Sequence, residues 1–141
     1  MITKIAKLVK DLTEYDIVYS KEEETHTDHI KEVITLNLND DIYKFLMHMQ
    51  TKHKCKFIFD YYPILWVVLH EIGHEKTFDD ITPQDWEDYA FINFMYDIGA
   101  GSQQELESQY YNSTVEWCAT DWAIWYVETH KEELKAFKIE R

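Results

Sequence analysis

Glycine and proline are nearly missing from this chain, at three and two among 141 residues. So little backbone punctuation excludes a collagen-like, low-complexity or linker-divided polypeptide, and no internal repeat is present. Cysteine is as scarce. Cys55 and Cys118 make no Cys-x-x-Cys pair, which argues against a disulfide scaffold and leaves two small buried hydrophobes in a reducing cytosol as the expectation. Long apolar runs are lacking too. The longest, Ile64-Leu65-Trp66-Val67-Val68-Leu69, has six residues, far below the roughly 20 of a membrane span. The opening Met1 to Lys7 intersperses lysines with apolar positions and does not read as a signal peptide. Without one, Asn112-Ser113-Thr114 carries no weight as a glycosylation site. Cations are outnumbered, 14 against 27 acidic residues, for a net charge of −13. Such a surface repels phosphate backbones and argues against direct nucleic-acid binding.

What is present points to one globular domain. Hydrophobic residues make up 45% of the chain and aromatics 16%, enough at this length to bury about two-thirds of the unfolded surface. Ile2, Ile5, Ala6, Val9 and Leu12 recur at helical spacing and predict a helix over 2–14. Lys21 to Thr27 reads as a solvated loop. Ile34, Leu36 and Leu38 alternate with polar neighbours, a half-buried strand, and Cys55, Phe57 and Phe59 suggest a second. Between them Ile42, Phe45, Leu46 and Met49 restore the helical period after a cap at Asn39 or Asp40. Thr82-Pro83-x-Asp85 opens a helix to about Ile98, with Gly99 as its stop. Ser102-x-x-Glu105 is a capping box for a short segment. Residues 114–130 form a strongly apolar helix, and 131–141 continue as a frayed, exposed one. The expected fold is α+β: a helix-rich domain with a short two- or three-stranded sheet.

The apolar run ends in His70-Glu71-Ile72-Gly73-His74. Two histidines four apart on a helix stand one above the other, close enough to share one tetrahedral zinc. Glu71, about 80° from their midline, flanks the metal as a general base for a water bound there. A shuffled chain of this composition yields the bare pattern roughly once in 30, so context matters. At 100° per residue, Ile64, Leu65, Val68, Leu69 and Ile72 share one arc, and the histidines point the opposite way. Pro63 fits the first turn, where its missing N–H is harmless. Gly73 costs such a helix about 1 kcal/mol relative to alanine, which close approach of another backbone or side chain would justify. The plain alternative is a surface helix whose polar side happens to carry these residues.

Two histidines do not close a zinc site, and a third protein ligand must come from elsewhere. Positions 78 and 80, where nearby third histidines would fall, are Phe78 and Asp80. Glu116 is the best candidate. On a helix over 114–130 it shares a face with Thr120, Ala123 and Val127, with Ala119 at the edge, and such small residues permit close packing on the metal helix. The competing role is structural: Ser113-x-x-Glu116 is itself a capping box. Asp79, Asp80, Asp97, Cys118, Asp121 and His130 are the other candidates. Tyr110, Tyr111 or Tyr126 are candidate helpers for an oxyanion. A substrate strand would pair with an exposed sheet edge, Cys55–Asp60 or Val33–Leu38.

Val68-Leu69-His70-Glu71-Ile72-Gly73-His74 followed by Glu116-Trp117-Cys118-Ala119-Thr120-Asp121-Trp122-Ala123 resembles the ImmA/IrrE-type metallopeptidases of bacteria, phages and mobile elements. Their pattern is His-Glu-x-Gly-His, then a helix with Glu-x-x-Ala and a Phe-Ala-like pair, here Trp122-Ala123. The resemblance covers roughly residues 55–127. It implies that the downstream glutamate, Glu116, is the third zinc ligand beside His70 and His74, and that the substrate is a protein, such as a helix-turn-helix repressor. The 42 residues from His74 to Glu116 exceed the family's usual spacing, and a Leu-Leu-x-Pro-like segment is absent, as in a divergent phage-type member. The rival class is an acidic protein without catalysis, either a nucleic-acid mimic or a zinc-bound pseudoenzyme, that blocks a host protein.

Overall fold

The structure, a computed structural model, describes residues 1–39 and 41–140. Among them the chain folds into α1 (Ile2–Leu12), β1 (Asp16–Ser20), β2 (His26–Asp28), β3 (Val33–Asn37), α2 (Tyr43–Thr51), α3 (Pro63–Lys76), α4 (Pro83–Asp97), α5 (Gln103–Asn112) and α6 (Thr114–Thr129). It is a helix-rich α+β fold with one small mixed sheet, ordered β1-β3-β2. β3 pairs parallel with β1, Ile17 opposite Ile34, and antiparallel with β2, Thr27 opposite Ile34.

α3 is the axis of the core. Its apolar run buries Leu65, Trp66, Val68, Leu69 and Ile72, but the helix is not two-sided as its periodicity suggests. Trp66, on the histidine side, is fully buried, and His70, Glu71 and Gly73 are buried as well. Its indole donates to the Ile58 carbonyl at 2.8 Å, which satisfies the one polar atom of that large side chain. The surface-helix alternative is thereby excluded. Ile5 and Val9 of α1 and Ile34 and Leu36 of β3 join α3 in one cluster with Ala123 and Val127 of α6.

α6 packs along α3 where both helices carry small residues. A methyl at Gly73 would collide with the carbonyl oxygen of Ala119 and lie 3.0 Å from its Cα. The two main chains therefore meet at that point, which is the physical reason for a glycine in mid-helix.

Several expectations are corrected. Residues 55–60 hold no strand: Ile58–Asp60 is a turn of 3-10 helix, with Cys55 and Ile58 buried on the core rather than alternating across a sheet. Val33–Leu38 is no edge either, since β3 is the central strand, with Thr35 buried along with Ile34 and Leu36. The edges are β1 and β2, and β2 begins inside the stretch read as a loop. Asn39 does not cap α2, whose N-cap is Ile42; the Asp41 carboxylate accepts from the Tyr43 N–H at 3.0 Å, and Asp40 lies outside the described residues. The tail is not a frayed helix. Leu134 and Phe137 are buried, and Lys138 bridges Tyr61, so the chain end is strapped to the segment that leads into α3. Both cysteines are free; Cys55 is buried and Cys118 half-buried. No helix among the described residues is long and apolar enough to cross a membrane.

Helix signals elsewhere translate directly. Thr82 and Asp85 form a reciprocal capping box, and Ser102 caps α5 by accepting from the Glu105 N–H. α4 closes on Gly99, whose φ of 69° lets its N–H reach the Tyr96 carbonyl while the Ala100 N–H reaches Met95, a Schellman turn.

Candidate metal centre

One helical turn separates His70 from His74 on α3, and their ring centroids lie 4.7 Å apart with planes nearly perpendicular. α6 delivers Glu116 between them. His70 Nε2 is 3.1 Å from Glu116 Oε1, and His74 Nε2 is 2.9 Å from Glu116 Oε2. One carboxylate thus spans both imidazoles. Ser113 caps α6 by accepting from the Glu116 N–H at 3.4 Å, but the Glu116 side chain is turned to the histidines. The capping role and the histidine-facing role fall to different parts of the same residue.

His70 and Glu116 are more than nine-tenths buried. A buried carboxylate is costly unless charge of opposite sign stands beside it. Burial pushes the Glu116 carboxyl up, but the positive charges of His74 and then His70, with hydrogen bonds from both, outweigh it and hold it well below the usual carboxylate range. Burial pulls His74 down, and the Glu116 charge and hydrogen bond, with the more distant Glu71, override it and raise the imidazole to about 9. Glu116 and His74 thus each favour the charged form of the other.

Around these three, further contacts fix orientation. Nδ1 of His70, the ring nitrogen away from Glu116, lies 2.9 Å from the Thr120 hydroxyl, and Phe45 packs edge-on at 4.9 Å between centroids. The Tyr89 hydroxyl of α4 donates to Glu116 Oε2 at 3.2 Å and stands 3.5 Å from that of Tyr110. Burial, followed by the Glu116 charge, raises both phenols, so each is a neutral donor. Glu71 points its carboxylate to β2, where the Thr27 hydroxyl donates to Oε2 at 2.7 Å. His70, Glu71 and His74 also offer ligand atoms within 4.8 Å of one another.

The donor set fits zinc. Ligand atoms of a tetrahedral zinc stand about 3.3 Å from each other, and here each imidazole nitrogen faces its own oxygen of the one carboxylate, at 3.1 and 2.9 Å. Two imidazole nitrogens and one carboxylate are a set typical of a catalytic ion with one further position. The other ligand candidates are elsewhere. Asp79 and Asp80 are exposed past the end of α3, and Cys118 lies on α6 away from the cleft. Asp121 pairs with His53 at 2.7 Å, and His130 stacks on Tyr126. Asp97 is on the cleft rim.

Of the candidate helpers, Tyr110 and Tyr111 line the cleft, whereas Tyr126 stacks between Trp122 and His130 outside it. Tyr89 went unnamed in the sequence because α4 shows no apolar stripe to say which side faces inward. Thr27 was missed for want of any strand signal in three residues. The cleft over this centre holds about 650 Å³. Comparison with family models, with curated proteins and with solved structures returned no match.

Proposed function

We propose that this chain is a zinc-dependent endopeptidase of the ImmA/IrrE type with a zincin-like site. The observation that carries the reading is the Glu116 carboxylate bonded to Nε2 of both His70 and His74 in a buried cluster beside Glu71. His70, His74 and Glu116 would hold the metal. Zinc bound there supplies a Lewis acid and brings the pKa of water from about 15.7 toward about 7.

The chain's own groups do the rest. Glu71 takes a proton from the attacking water, whose oxygen bonds to the peptide carbonyl carbon. As the carbon–nitrogen bond breaks, Glu71 returns that proton to the departing amine. Tyr110, a neutral phenol on the cleft wall, donates to the carbonyl oxygen as it gains negative charge, while Tyr89 holds Glu116. Thr27 holds Glu71 and belongs to β2, an edge strand whose residue His26 also lines the cleft. An extended substrate can hydrogen-bond to that edge and so present one peptide bond to Glu71. By the family resemblance the substrate is a helix-turn-helix repressor.

Elemental analysis of the purified protein tests the metal, with about one zinc per chain expected. Glu71→Gln should keep the zinc and lose about 10²- to 10⁴-fold in cleavage rate, whereas His70→Ala and Glu116→Ala should lose the metal. A fully active Glu71→Gln enzyme, or a wild-type protein with no affinity for zinc, overturns the reading. Zinc bound without cleavage of any protein favours the pseudoenzyme.

A further inference from the structure

The walls of the cleft are acidic beyond the groups that face the metal position. Glu24 leads into β2, Asp41 precedes α2, Asp97 ends α4 and Glu107 lies on α5, and all four line it. Among the described lining residues Lys44 is the only lysine or arginine, and its ammonium sits 2.8 Å from Glu107. A low-dielectric cleft lined by one sign of charge focuses that field and raises the local concentration of the opposite sign. The overall charge of −13 adds to it at long range.

A second feature is independent of charge. Ile42 and Val67 belong both to this cleft and to a neighbouring cavity of about 400 Å³. That cavity is walled by Ile2, Ile5, Tyr19, Leu36, Leu38 and Ile64, and it is apolar almost throughout. Ile2 and Leu38 at its rim are more than half exposed. The two spaces therefore adjoin at Ile42 and Val67, an acidic cleft over the proposed catalytic centre with an apolar cavity beside it.

We propose that the cleft selects an extended protein segment carrying lysine or arginine next to the cleaved bond and a large apolar side chain that enters the adjoining cavity. The proposal rests on the peptidase reading, and it names the substrate's chemistry. Cationic side chains gain from Glu24, Asp41 and Asp97, while an acidic segment meets repulsion from the same groups. The apolar side chain removes its own surface and that of the cavity from water, at about 25 cal/mol per Å².

The test uses matched peptides with Lys or Glu flanking a central bond, each made with Leu or Ser at the apolar position. Cleavage by the zinc-loaded wild type gives kcat/KM. Binding to the zinc-loaded Glu71→Gln protein, by fluorescence anisotropy, gives affinity independently of chemistry. The Lys/Leu peptide should exceed the Glu/Leu peptide by about tenfold or more at low salt, with the ratio shrinking in 0.5 M NaCl (a salt level set by about a 4 Å screening length). Leu should exceed Ser by about tenfold. The double variant Glu24→Gln/Asp97→Asn should cut the Lys:Glu ratio at least about threefold and leave the Leu:Ser ratio alone. Equal affinities, an acidic preference, or a charge ratio indifferent to the double variant overturns the proposal. Cleavage without either preference sinks it while the peptidase reading stands. Preferential binding of Lys/Leu peptides with no hydrolysis by the wild type does the reverse.

Discussion

Replacing a mid-helix glycine by alanine ordinarily stabilises a helix by about 1 kcal/mol. At Gly73 the sign should reverse, because the new methyl meets the Ala119 backbone rather than a side chain that can swing away. Gly73→Ala is expected to destabilise the fold by about 1–3 kcal/mol in urea titration; a stabilised variant would mean the two helices part at no cost. Thr120→Val keeps the shape and removes the partner of His70 Nδ1. Zinc affinity should fall about 10- to 100-fold while thermal stability without metal changes far less. A third residue senses acid. Burial, then charge on His53, Lys52 and His70, pushes the His48 imidazole down to about 4. The folded protein thus binds fewer protons there than the unfolded chain between about 4 and the ordinary value near 6.5. That contribution to stability is whole above about 6.5 and is lost as pH falls through about 4. His48→Phe should flatten this part of the melting-temperature profile, and an unchanged slope would refute the assignment.

Elements were readable to the degree that their residues announce themselves locally. The 70/74 spacing, the Thr82 cap, the Gly99 stop and the small face of α6 all rest on contacts within a helix or between two. The placement of Glu116 beside His70 and His74 was readable too, because a carboxylate among small residues on an apolar helix needs a partner when the helix packs. β1, by contrast, has only half-buried or exposed positions, and Cys55–Asp60 alternates like a strand although it winds as 3-10 helix. Pairing partners decide such segments, and short runs carry no record of them. The tail belongs to the same class. Lys131–Arg141 looks solvated, yet Leu134 is fully buried and the Ile139 N–H donates to the Asp60 carbonyl at 2.8 Å. Leu134→Ala should therefore cost about 2–5 kcal/mol by chemical denaturation, an effect far too large for a frayed end.

For the molecule as a whole, the proposed zinc site would link metal to fold. A ligand that binds only the folded chain stabilises it by about 2.7 kcal/mol at 100 times its dissociation constant. Chelation should lower the melting temperature, and added zinc should restore it. α4 introduces an asymmetry into that linkage. It has no buried residue, yet its Tyr89 reaches into the cluster to meet Glu116, while α3 and α6 are locked main chain to main chain. Amide hydrogens of α4 should then exchange with deuterium long before those of its two neighbours. Each such opening withdraws a phenol from the carboxylate while leaving the histidine pair in place, so the wall of the cleft breathes over an unmoving floor.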